Sequence, residues 1–207
     1  MWNGDINRHP AVIARCANAE EVAAAIRFGR QQGLEMAVRG GGHNFAGFGV
    51  CEGGLVIDLS GMRQVTIDPV ARRAVCGGGA TWGDLDTAGQ AHSLAVTGGF
   101  ISHTGIGGLT LGGGIGWLTR KVGLSCDNVV AAEVVTADGR IIRASADQNA
   151  DLFWAIRGGG GNFGVVTSFE YRLHEVGPLV HLGLFFWGAS QGAEALRFSR
   201  DFVAKIP

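Results

Sequence analysis

Val38-Arg-Gly-Gly-Gly-His-Asn44 is the first and most telling of the chain's glycine tracts. Met36-Ala-Val38 reads as a strand that runs straight into three glycines. A strand followed by side-chain-free backbone leaves main-chain N–H groups unshielded and able to converge on phosphate oxygens. Arg39 adds a positive charge where the loop begins. Alone, a glycine-rich loop after a strand has many uses, and His43 within it can equally be a polar loop residue with no special role.

Outward from this loop, the same device recurs. The 207 residues include 36 glycines, more than twice the usual share. They cluster in four tracts: Gly40–Gly42, Gly77–Gly79, Gly112–Gly114 and Gly158–Gly161. The flanks of the tracts differ, which excludes a repeat protein, and the sequence between them is apolar and patterned, which excludes low complexity. The tracts are therefore read as loops where backbone approaches something closely.

Around the first tract the pattern is strand, helix, strand, loop, strand. Pro10–Ala14 reads as a short buried strand. Asn18-Ala-Glu-Glu21 is a capping-box pattern opening a helix with Val22, Ala25, Ile26 and Gly29 inward and a stop near Gly33; Leu55–Leu59 is another apolar strand. Residues 65–176 read differently. Val65–Ile67 and Ala74-Val75 flank a turn at Asp68-Pro69, and Thr81 caps a second helix. Asp138-Gly139 joins Glu133–Thr136 to Arg140–Ala144 as a hairpin. Asp151–Ile156 reads as a short helix. From Val165 to Leu173 the chain alternates, placing Val165, Thr167, Phe169, Tyr171 and Leu173 on one face of an antiparallel strand.

The fold class expected is α+β: a first α/β subdomain over residues 1–64 and a second over 65–176 built on an antiparallel sheet. From 177 to 207 a strand at Leu182–Trp187 and an amphipathic helix at Ser190–Lys205 cannot bury their own apolar faces, so they read as the opening of a further domain.

Composition narrows the function. Hydrophobic residues at 46% and charged residues at 17% describe a folding chain, and a net charge of −1 without basic clusters speaks against nucleic acid or membrane partners. Cys16, Cys51, Cys76 and Cys126 lack metal-ligand or disulfide spacing and read as buried hydrophobes in a reducing, cytoplasmic compartment. His9, His92, His103, His174 and His181 have no partners at ligand spacing and read as ordinary polar residues, so no metal is expected.

Two further tracts carry chemistry. Gly105-Ile-Gly-Gly-Leu-Thr-Leu-Gly-Gly-Gly-Ile-Gly116 lacks the spacing and long helix of a dinucleotide-binding Rossmann loop, and Arg157-Gly-Gly-Gly-Gly-Asn-Phe-Gly164 precedes a strand rather than a helix. Tight backbone packing is the bland explanation of both; a flat ring lying against main chain is the other.

Taken in order, Arg39–His43, Gly105–Gly116, Gly123-Leu-Ser-Cys-Asp-Asn128, Asp151-Leu-Phe-Trp-Ala-Ile-Arg-Gly158 and Gly161-Asn-Phe-Gly-Val-Val166 resemble the FAD-linked oxidases of the vanillyl-alcohol-oxidase (PCMH-type) fold, in the branch resembling berberine bridge enzyme. The resemblance runs from Trp2 to about Pro178. It implies that the two subdomains clasp FAD between them. The loop of Arg39, Gly40, Gly41, Gly42, His43 and Asn44 would wrap the pyrophosphate, with His43 bonded to the flavin's 8α carbon. Ser102, Thr104, Gly105, Gly107, Gly108 and Leu109 match a second cofactor loop, with Gly114 and Asn128 nearby. Gly164, Val165 and Val166 match the segment near the adenine end.

Ile101 stands where doubly linked members carry cysteine, which implies a single bond. Asn44 replaces a more usual serine, and Thr104 occupies the position that gates oxygen. The function implied is oxidation of an alcohol, amine or sugar carbon of a small molecule, with oxygen or an unidentified acceptor. The resemblance places the base in a following substrate domain, so no catalytic residue is named here. A non-catalytic FAD-binding fragment is the alternative.

Overall fold

The computed structural model describes residues 1–206. The chain divides into two compact units that part between Gly177 and Pro178.

The first unit opens with β1 (Val12–Arg15), α1 (Ala19–Gln31), β2 (Met36–Arg39) and β3 (Leu55–Asp58). The strands form a parallel sheet in the order β1-β3-β2, with Ile13 and Ala37 both opposite Val56. All four β3 residues are buried, as the central strand of a parallel sheet requires. β1 is not the buried strand expected from its apolar run: it lies at the sheet edge, and Val12 and Ile13 are exposed. Asn18 caps α1 by accepting the Glu21 N–H at 2.9 Å, while Glu21 accepts the Ala17 N–H at 2.8 Å. The helix buries Val22, Ala25, Ile26 and Gly29 against Leu55 and Ile57.

After β3 come β4 (Val65–Asp68), β5 (Arg73–Gly77), α2 (Trp82–Gln90), β6 (Leu94–Ala95), α3 (Ile106–Leu111), α4 (Thr119–Val122), a 3-10 turn at Cys126–Asn128, β7 (Val129–Val135), β8 (Ile141–Ser145), α5 (Ala150–Ala155), β9 (Val165–Arg172) and β10 (His174–Glu175). Five strands form an antiparallel sheet in the order β4-β5-β9-β7-β8. The β7–β8 turn places Gly139 at φ +79°, which glycine adopts without strain. The fold is α+β, with a parallel and an antiparallel sheet in one compact unit.

One face of the large sheet buries Trp82, Ile106, Val134, Phe169 and Tyr171; a second core joins α1 to Val135 and Val165. The alternation expected along β9 breaks at its start. Register slips between Glu133 and Val134, so Thr167 is the extra residue of a β-bulge. Val166, not Val165, therefore joins Phe169 and Tyr171, and Val165 turns to the α1 core.

In the second unit a 3-10 turn at Ala189–Gln191 leads into α6 (Gly192–Val203). Residues 182–187, expected as a strand, have no regular structure. A strand needs a partner for its backbone groups, and among the described residues this unit has no other strand. No helix among the described residues is long and apolar enough to cross a membrane.

Candidate cofactor site

The end of β2 delivers the first glycine loop against Gly78 and Gly105. Arg39 pairs with buried Asp58, Nη1 to Oδ2 at 3.2 Å, which anchors the loop to the central strand. Its Nε is buried and has no hydrogen-bond partner among the described residues. The main-chain N–H groups of Gly40, Gly41, Gly42 and His43 donate to no main-chain carbonyl among the described residues. A buried guanidinium nitrogen beside a row of unpaired N–H donors is the donor set a pyrophosphate takes up.

The second loop lies between β6 and α3 and is pinned to the first turn of α2. Trp82 N–H donates to the Thr104 carbonyl at 3.0 Å, Gly83 N–H to the Ser102 carbonyl at 2.7 Å, and Ile106 N–H to the Ala80 carbonyl at 2.9 Å. A reciprocal capping box between Thr81 and Asp84 holds that turn, and Arg63 grips Asp84 at 3.0 and 2.7 Å.

These two loops touch. A Cβ on Gly41 would lie 2.2 Å from the Gly105 nitrogen, and a Cβ on Gly105 would lie 2.4 Å from the Gly41 nitrogen. Only two glycines permit this approach. The Gly78 carbonyl lies beneath both loops, at 3.5 Å from a Cβ on Gly40 and 3.2 Å from one on Gly107. Gly78 N–H in turn donates to the Thr167 carbonyl of β9 at 2.7 Å. Gly108 has open space where a Cβ would stand.

His43 sits at the rim of this junction. Trp2 stacks on its ring with centroids 5.6 Å apart, and Trp2 N–H donates to the Gly42 carbonyl at 2.9 Å. Nε2 of His43 lies 2.8 Å from Nδ1 of His103. Burial, and then the neighbouring His103, hold the His43 imidazole below its ordinary 6.5. His103, read from the sequence as an ordinary polar residue, thus stands against His43. His174 places its Nε2 2.7 Å from Oδ1 of Asn128.

Of the residues expected at the cofactor, Arg39, Gly40, Gly41, Gly42 and His43 come together with Thr104, Gly105 and Gly107, while Gly108 and Leu109 continue along α3. Asn44 turns away to accept the Phe48 N–H at 2.9 Å. Gly114 lies at a separate junction, at φ +85°, where a Cβ would meet the Ser125 hydroxyl at 2.4 Å. Asn128 is buried and donates to the Val122 and Leu124 carbonyls at 3.0 and 2.8 Å, so its side chain knits the loop after α4. Gly164 leads into β9, and the Val165 and Val166 side chains are spent on the two cores, leaving only main chain for any ligand. Trp2, Gly78 and His103 were missed; the tract Gly77–Gly79 was the one signal that pointed to any of them.

A family described as FAD binding domain matches residues 10–145. An (R)-6-hydroxynicotine oxidase from Paenarthrobacter nicotinovorans is 43% identical over 190 residues, which is 92% of this chain and 42% of that protein. The crystal structure of 6-hydroxy-D-nicotine oxidase from Arthrobacter nicotinovorans superposes with a TM-score of 0.83 at 44% identity, covering 84% of this chain and 39% of the other. A glucooligosaccharide oxidase from Acremonium strictum, with a 6-S-cysteinyl, 8α-N1-histidyl FAD, superposes with a TM-score of 0.80 at 37% identity over 84% of this chain and 37% of its own. The chain thus spans about two fifths of these relatives' length. It belongs to the FAD-binding domain family, within the FAD-linked oxidoreductases of the vanillyl-alcohol-oxidase (PCMH-type) fold.

Proposed function

We propose that the chain is the cofactor-holding part of an FAD-dependent oxidase or dehydrogenase of small molecules, and that His43 holds FAD covalently. The observation that carries this is the contact of Gly41 with Gly105, which brings the two glycine loops together with His43 beside His103 of the second. Residues 1–64 and 65–176 act as the two halves of a cleft for FAD, and residues from 177 begin a substrate-binding domain.

The N–H row of Gly40 to His43 and the spare Arg39 Nε bind the pyrophosphate. The loop of Ser102, Thr104, Gly105, Gly107, Gly108 and Leu109 supports the ring. Asn44, Gly114, Asn128, Gly164, Val165 and Val166 serve by shaping the surrounding backbone. When bound, FAD supplies hydride acceptance at N5 from an alcohol, amine or sugar carbon. Ile101 offers no thiol, so one bond is expected, with oxygen or another acceptor closing the cycle.

Acid precipitation after expression with ample FAD tests the covalent reading. Yellow colour retained in the wild-type pellet and lost from that of His43→Ala is the expected result. A folded, FAD-loaded wild type that releases all its colour overturns the bond to His43.

A further inference from the structure

His43 and His103 come from loops sixty residues apart, and their rings approach to 2.8 Å between Nε2 of His43 and Nδ1 of His103, with centroids 4.7 Å apart. A neutral imidazole has one N–H, and the hydrogen bond made by one nitrogen determines the state of the other. The contact engages Nε2 of His43 and leaves Nδ1 without a partner among the described residues. Trp2, stacked on the ring and tied to Gly42, restrains its orientation.

We propose that His103 is a positioning residue for His43: it accepts the Nε2 proton, leaving the Nδ1 lone pair free for the bond to FAD. This deepens the covalent reading above and rests on it.

The proton count agrees. Joining Nδ1 to the 8α carbon removes one hydrogen from that carbon and one from the imidazole. The electron pair released reduces the flavin ring, and dioxygen, as the two-electron oxidant, takes up the pair with two protons to give hydrogen peroxide. Were the Nε2 proton retained, the substituted ring would be a cation where burial and a second imidazole both disfavour charge. Nδ1 of His103 is placed to receive that proton, and His103 is exposed, so water can carry it away. The contact survives with its polarity reversed, His103 now donating to Nε2.

Two measurements on the flavin-free chain test the assignment. Ring-nitrogen NMR on ¹⁵N-labelled protein, assigned with His43→Ala, reads which His43 nitrogen carries the proton. Acid-stable flavin formed with time after adding FAD in air reads the bond. Expected are a proton on Nε2 in the wild type, and in His103→Ala a mixed tautomer and roughly tenfold or more slower bonding. His103→Asn, whose Oδ1 can stand near the place of Nδ1, restores most of both. An exposed position leaves the fold intact in either variant, checked by thermal melting. A wild-type proton on Nδ1, or bonding in His103→Ala at the wild-type rate, overturns the proposal. If the wild type takes up FAD without a bond, the covalent reading falls, and the His103 role then stands or falls on whether His103→Ala changes the His43 tautomer.

Discussion

Gly41 and Gly105 pack main chain against main chain, each nitrogen within 2.4 Å of where the other residue's Cβ would stand. The contact joins the loop that follows parallel strand β2 to one pinned on α2. A methyl group at either position must push the loops apart. Gly41→Ala and Gly105→Ala are each expected to cost on the order of 1–3 kcal/mol and to abolish FAD uptake, read by urea denaturation and by flavin absorbance of the purified chain.

Gly108 gives the opposite pattern. Nothing lies within 4 Å of a Cβ there, and the residue is part of α3. Gly108→Ala should stabilise the flavin-free chain by about 1 kcal/mol, since alanine is the better helix former. It should also weaken FAD uptake, because the added methyl would stand in space that no residue fills. Unchanged uptake would remove Gly108 from the cofactor surface.

Asp84 supports the site from a distance. It accepts the Thr81 N–H at 2.8 Å and both Arg63 contacts, and so holds the α2 turn to which the second loop is tied. Asp84→Ala should cost about 1–2 kcal/mol, mostly through the lost cap rather than the half-exposed ion pair. FAD uptake should fall with it, whereas Arg63→Ala should leave uptake nearly intact.

Stability should fall with acid in a definite window. His174 is held below its ordinary 6.5 by burial and by Arg172, Lys121 and Arg72, and His43 is lowered as well. A lowered imidazole binds its proton less readily folded than unfolded, so its contribution is present above pH 6.5 and is lost as pH drops through the folded value. Urea midpoints should therefore decline from pH 7 to pH 5. His174→Asn should flatten that decline; an unchanged slope would remove His174 as a source.

All four cysteines are free and buried, and burial raises each thiol, that of Cys76 to about 12. Thiolate is scarce at neutral pH, so native protein should resist thiol reagents, and denatured protein should titrate all four. Rapid native labelling of any one would contradict its burial.

How much of this was legible depended on the range of the interaction. Asn18 with Glu21 and the turn at Asp138-Gly139 are local chemistry, and both stand where the pattern placed them. The β-bulge at Thr167 is a slip between two strands, invisible in β9 alone, and it exchanged the faces of Val165 and Val166. Residues 182–187 have strand composition, but composition cannot supply a partner strand. Among the glycines, the sequence does not separate contact with a ligand from contact with backbone. Gly116, whose Cβ would meet the Gly98 carbonyl at 1.6 Å, and Gly41 look alike in one dimension. His103 escaped notice for the same reason: its partner is sixty positions away.

The bond between His43 and FAD is tested most directly by peptide mass spectrometry of the FAD-loaded chain. Trypsin releases Gly40–Arg63, which contains one histidine, His43, and one cysteine, Cys51. This peptide should carry the added mass of FAD, with fragmentation placing the addition on His43. FAD on any other residue, or a peptide of unmodified mass from protein that carries FAD, would contradict it.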